Sequence, residues 1–309
     1  MTQDQRDHGG GLDAAIARWG GTRGSWIDLS TGINPVSYPV GDLSIDAWTA
    51  LPDQNAQDRL IKAARRFWQV PEGAGCLAAP GASALIAKIP TLWPKGRVRI
   101  DGPTYNEHAA AFRADGWDEG AGDAMVAVHP NNPDGQFWNT ANLTAPFTII
   151  DESFCDIAPD RSLVALAARP GTIVLKSFGK FWGLAGLRLG FAIGDRVLLE
   201  KLADALGPWP VSGPALELGV RALNDMNWAA ETRGRLADDA DRLDRLMAPH
   251  GTLIGGTSLF RLYDVSNAAA FQERLATAHI WTRVFPYSQR WVRIGLPAPD
   301  MWDRLEAAL

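Results

Sequence analysis

The chain has 309 residues, enough for about two domains of ordinary size, and 46% of them are hydrophobic, which excludes a disordered chain. Its formal charge is −5, from 30 Lys and Arg against 35 Asp and Glu, and this excludes a grip on nucleic acid through a global positive field. Two cysteines, Cys76 and Cys155, exclude a disulfide scaffold and a multi-cysteine zinc framework, so no metal site is expected.

The first ten residues, MTQDQRDHGG, are polar and carry no secretory signal. No later segment approaches the roughly 20 apolar residues of a bilayer span. A soluble, cytoplasmic protein with no membrane partner is expected.

In chain order, a short helix is predicted near Leu12 to Arg18, followed by Pro/Gly-rich extended chain. Residues 1–44 read as an N-terminal arm. Strands are predicted at Gly75 to Ala79, Arg97 to Asp101, Ala124 to Val128, Phe147 to Asp151, Thr172 to Ser177 and Leu189 to Ile193. Helices fall between them at Ala82 to Leu92 and Asn106 to Ala114. This alternation predicts an α/β domain with a mostly parallel central sheet over residues 45–205. Pro208 and Pro210 mark a turn, and a helical stretch runs from Ala215 to Met247. There Leu236, Ala240, Leu243 and Met247 recur at i, i+4, i+7 and i+11 as one apolar stripe. Strands at Ser258 to Tyr263 and Trp291 to Ile294, and a closing helix from Asp300, complete a smaller α+β domain over 206–309.

The stretch Ser177 to Phe191 reads SFGKFWGLAGLRLGF. Lys180 follows an apolar strand and sits beside Phe181 and Trp182. Such surroundings disfavour an ammonium and make the amine nucleophilic toward carbonyls. Ser177 and Arg188 flank it with a hydroxyl and a fixed cation, which suit a phosphate monoester. Pyridoxal 5'-phosphate (PLP) needs both.

Other residues read two ways in isolation. Asp151 ends an apolar strand, as a ligand-crevice acid or as a helix cap. Asn132, in His129-Pro130-Asn131-Asn132-Pro133-Asp134-Gly135, sits in ordinary turn dipeptides. Gly81, Ala82 and Ser83 open a helix, as an anion site or a plain N-cap. Tyr105 is a cofactor-stacking ring or core packing. Arg293 is a carboxylate clamp or a solvated edge residue.

Ser-x-x-Lys followed by Gly-Leu-Ala-Gly-x-Arg-x-Gly resembles the lysine signature of the fold-type I, class I/II aminotransferase superfamily. The resemblance implies a PLP-dependent transferase-like fold in which Lys180 bonds the cofactor aldehyde. It implies that Asp151 pairs with the pyridinium nitrogen and Asn132 with the ring oxygen. Tyr105 stacks on the ring, Gly81, Ala82, Ser83, Ser177 and Arg188 hold the phosphate, and Arg293 binds the substrate carboxylate.

His8-Gly9-Gly10 and Asp28-Leu29-Ser30-Thr31-Gly32-Ile33-Asn34-Pro35 resemble the start of the superfamily's threonine-phosphate decarboxylases of cobalamin biosynthesis. For that subgroup the resemblance implies a homodimer, a phosphorylated amino-acid substrate, and substrate contacts at His8, Asn34, Arg283 and Arg293. An aminotransferase of histidinol-phosphate type and a non-enzymatic PLP-fold scaffold are the competing readings. Three departures stand out: Phe154 where many relatives carry Tyr, Leu51 at another common Tyr position, and only 15 residues between Gly135 and Asp151.

Overall fold

The structure is a computed structural model that describes residues 8–309. The chain folds into two compact units. The larger holds Ser37–Asn132 and Gln136–Thr232; the other holds the chain up to Val36, Pro133–Gly135 and Arg233–Leu309.

The larger unit is built on a seven-stranded sheet. Its order is Gly75–Ala79, Gly190–Gly194, Thr172–Ser177, Phe147–Asp151, Ala124–Val128, Arg97–Ile100 and Asp118–Glu119. The last five run parallel, whereas Gly190–Gly194 is antiparallel to both its neighbours. Ala124–Val128, Phe147–Asp151 and Gly190–Gly194 are buried at every residue, as apolar strands covered on both faces are. Leu198, Leu199 and Leu202 present one side of the helix Arg196–Leu206 to a core that includes Ile149, Ile173 and Ala192. Burying each such leucine contributes about 1.5–3 kcal/mol.

Differences from the predicted elements have local causes. The helix from Ala82 gives way after Lys88 to a 3₁₀ turn, Ile89–Leu92, because Pro90 has no N–H to continue the ladder. The helical stretch beyond Ala215 is two helices, Gly213–Asn224 and Met226–Met247. Asp225 separates them, and its Oδ1 accepts the Trp228 amide at 3.0 Å, capping the second helix. The predicted stripe on that helix is buried at all four positions. The helix Gln54–Phe67 and the strands Gly251–Thr257 and Arg283–Phe285 had no counterpart among the predicted elements.

The smaller unit carries a four-stranded antiparallel sheet in the order Arg283–Phe285, Ser288–Gly295, Phe260–Val265, Gly251–Thr257. Ser258 and Leu259 form the hairpin turn, so the strand predicted from Ser258 begins at Phe260. The N-terminal chain is part of this unit. Ile27–Asp28 pairs in parallel with Ile280–Trp281, and Trp26 stacks on His279 with ring centroids 4.8 Å apart. Among the described residues, no helix is long and apolar enough to cross a membrane.

Candidate active site

The sheet of the larger unit brings the ends of distant strands to one edge. Asp151 pairs with Val128 on one side and Leu175 on the other. Two residues further on, Ser177 pairs with Gly190, which pairs on its far side with Ala79. The carboxyl ends of parallel strands border the ligand crevice of such sheets.

Asp151 is buried, and its two oxygens are separately engaged. Oδ2 lies 2.8 Å from His108 Nε2, and Oδ1 accepts the Ser153 amide at 2.9 Å and the Ser153 hydroxyl at 2.5 Å. Burial pushes the carboxyl's pKa up, but the hydrogen bond and charge of His108, with the two bonds from Ser153, hold it below the usual carboxylate value. An ionised acid is therefore kept in a dry place. Sequence reading missed His108. The signal available was its position three residues after Tyr105, the residue that precedes the helix Asn106–Ala114. The two rings meet edge to face with centroids 6.1 Å apart.

Lys180 is half-buried in the turn after the strand Thr172–Ser177. Its Nζ stands 5.1 Å from the centroid of the buried Phe154 ring. Phe154 therefore offers the amine a π face and no hydroxyl. Ser177 Oγ accepts the Gly179 amide at 3.2 Å and lies at the pairing position of Gly190.

Gly81 takes φ +88°, and a Cβ there would stand 2.6 Å from Arg188 Nη2. A Cβ on Gly190 would come within 2.5 Å of the Ala82 amide nitrogen. The two glycines thus let the Arg188 guanidinium pack against Gly81 and the Ala82 backbone pack against Gly190, beside Ser177. Ala82 is half-buried and Ser83 exposed. Asn132 is half-buried and follows Asn131, whose side chain bonds Thr104 Oγ1 (2.6 Å) and Pro103 O (3.1 Å), tying its loop to the one that carries Tyr105. A guanidinium, a hydroxyl and a backbone amide grouped together, an amine, and a buried ionised acid suit a group bearing a phosphate, an aldehyde and a basic ring nitrogen. The residues present fit PLP.

In the smaller unit, Arg283 and Arg293 are direct partners in the register of neighbouring antiparallel strands, so both guanidinium groups rise from the same face. Arg293 is buried and donates from Nη2 to Ser30 O at 2.6 Å. Burial and the neighbouring Arg283 lower its pKa to about 10. Arg283 Nη1 donates to His8 O at 2.9 Å, and the Gly10 amide donates to Ser30 Oγ at 2.7 Å. Gly9 permits this approach, since a Cβ there would lie 2.4 Å from Ser30 O. The His8–Gly9–Gly10 segment is thus laid along the two arginines. Asn34 is buried and its Oδ1 accepts from Arg235 Nη2 (2.6 Å) and the Val36 amide (3.0 Å).

Residues 118–308 match the family described as Aminotransferase class I and II. The chain is 42% identical to a threonine-phosphate decarboxylase of Sinorhizobium sp, over 95% of this chain and 93% of that protein. It is 38% identical to a threonine-phosphate decarboxylase of Pseudomonas aeruginosa, over 98% of this chain and 97% of that one. Among solved structures, the histidinol-phosphate aminotransferase of Sinorhizobium meliloti in complex with pyridoxal-5'-phosphate superposes with a TM-score of 0.83 at 19% identity. That superposition covers 99% of this chain and 95% of the other.

Proposed function

We propose, from the premise that the chain belongs to the aminotransferase class I and II family, that it is a PLP-dependent lyase converting L-threonine O-3-phosphate to an aminopropanol phosphate in cobalamin biosynthesis. The observation that carries this reading within the family is the Arg283–Arg293 pairing beside His8–Gly9–Gly10. Two cations on one face suit a substrate with two anions, a carboxylate and a phosphate. Histidinol phosphate has a phosphate but no carboxylate.

When bound, PLP supplies an electron sink for the pair left behind as CO2 departs. Lys180 would be the residue that bonds the cofactor aldehyde, and its amine would be the group that carries a proton to the substrate carbon. Ionised Asp151 would pair with the cofactor's ring nitrogen and favour its protonated form, with His108 fixing the carboxylate's direction. Tyr105 would pack on the ring and Asn132 would bond its oxygen. Ser177, Arg188 and the Gly81–Ser83 backbone would hold the phosphate. Arg293 grips the substrate carboxylate, while Arg283, His8 and Asn34 hold the other end. Decarboxylation or transamination follows from which substrate bond these groups hold perpendicular to the ring, an effect of orientation.

Carboxyl-labelled threonine phosphate tests the reading. Labelled CO2 with no pyridoxamine phosphate is expected. Pyridoxamine phosphate and a keto acid without CO2 would instead support an aminotransferase of histidinol-phosphate type, and absence of a lysine-dependent cofactor band would leave a non-enzymatic scaffold. The active form is a homodimer in the cytosol, a reading supported by the exposed Ile45, Trp48 and Leu51 of the larger unit and by two free cysteines.

A further inference from the structure

Beneath the lysine turn lies a group of buried charges that the proposed chemistry does not use. Lys176, one residue before Ser177, has its Nζ 2.6 Å from Glu152 Oε2 and 3.6 Å from Asp156 Oδ1. All three side chains are at most 4% exposed. Glu152 directly follows Asp151 and also accepts from Ser162 Oγ at 2.7 Å and the Leu163 amide at 2.5 Å. Asp156 shares its oxygens between two indoles, Trp68 Nε1 at 2.8 Å and Trp182 Nε1 at 3.0 Å.

Trp182 is the member that reaches the turn. Its ring is fully buried and stacked between Phe178 and Trp228, with centroids 5.1 and 5.3 Å away. The Gly183 amide donates to Lys180 O at 3.1 Å, and the Leu184 amide donates to Phe178 O at 3.1 Å. Lys180 therefore stands in a closed turn flanked by two rings, Phe178 and Trp182, that stack on each other. Tyr38 and Phe181 also meet the Trp182 ring at steep angles. The bond from Trp182 Nε1 to Asp156 adds a directional contact that the indole can make in one orientation of its ring. Asp156 is itself held by Lys176 and lies two residues after Phe154, the ring that faces the lysine amine.

Buried ion clusters are weak sources of stability, because apolar side chains of the same volume commonly do as well. What this one supplies is direction, linking the segment after Asp151, the residue before Ser177 and the turn of Lys180. We infer that Trp182, bonded to Asp156, is a positioning residue that aims the Lys180 amine at the cofactor. The inference rests on the PLP reading above.

The test is Trp182→Phe, which keeps a stacking ring and deletes the donor, compared with Trp68→Phe, which deletes the other donor to the same carboxylate. Three quantities are read: the melting temperature of the cofactor-free protein, the PLP dissociation constant, and the circular dichroism of the bound-cofactor band. Trp182→Phe is expected to weaken PLP binding by about tenfold and to reduce the induced dichroism more than its loss of stability accounts for. Trp68→Phe is expected to lower the melting temperature with little change in dichroism. Equal dichroism in all three proteins, or losses that track melting temperature alike in both variants, overturns the inference. If Trp182→Phe does not fold, Asp156→Asn is read against Trp68→Phe in the same way. A wild-type protein without a cofactor band would fail the parent reading instead, so the two failures are distinguishable.

Discussion

At Asp151 two opposing effects meet, and the hydrogen bonds win. Burial alone favours the neutral acid, yet His108 and Ser153 hold the charged form. Its native pKa lies below the unfolded value, so the unfolded chain binds the proton first as acid is added. The resulting stability is complete above the unfolded pKa of about 3.9 and is lost as pH falls through the native value. His108→Phe should shrink this contribution: urea midpoints measured from pH 6 to 3 should fall less steeply than in the wild type. Activity should drop by about ten- to a hundredfold while PLP content changes little. A parallel displacement of the whole pH curve would count against the assignment.

Arg293 shows the opposite sign. A cation with a lowered native pKa carries its burial cost at every pH below about 10 and sheds it only as pH rises through that value. Near neutrality the site is therefore poised for an anion. Threonine phosphate should raise the melting temperature of the cofactor-free protein, and Arg293→Met should remove most of that rise. An undiminished rise in the variant would remove Arg293 from the binding site.

At the scale of elements, the sheet and the lysine turn were legible because their signals are local. Apolar runs such as Phe147–Asp151 need no partner to be recognised, and a lysine among glycines after a strand carries its own chemistry. The break at Asp225 was not legible, since Ala215 to Met247 is helical in composition throughout and only the capping bond reveals the boundary. Asp225→Ala should destabilise the fold by about 1 kcal/mol, read from denaturant midpoints, by uncapping the helix Met226–Met247. His108 and the Lys176–Glu152–Asp156 group escaped for a related reason. Their partners lie 43, 24 and 20 residues away in sequence, and no single window contains both members.

For the whole molecule, the 13 tryptophans acquire locations. Trp19, Trp26 and Trp281 cluster in the smaller unit, and Trp182 stacks on Trp228 in the larger. Trp48 and Trp209 are exposed, at 67% and 53%, and Trp48 lies near the likewise exposed Ile45 and Leu51 in sequence. An apolar set of this kind on a monomer marks an interaction site. A homodimer is expected in sedimentation, with Trp48→Glu shifting it toward monomer. A wild-type monomer with full activity would exclude the shared interface.

The antiparallel strand Gly190–Gly194 also sets a timetable. It lies between Gly75–Ala79 and Thr172–Ser177, and the sheet gives Gly75–Ala79 no other neighbour. During synthesis the earliest of the sheet's strands must wait for the latest, some 110 residues behind it, before it can be paired. The close approach of Gly81 to Arg188 and of Ala82 to Gly190 forms only once that strand is in place. A ribosome-bound chain that stops short of Gly194 should be blind to the cofactor, however much of its sheet has already formed.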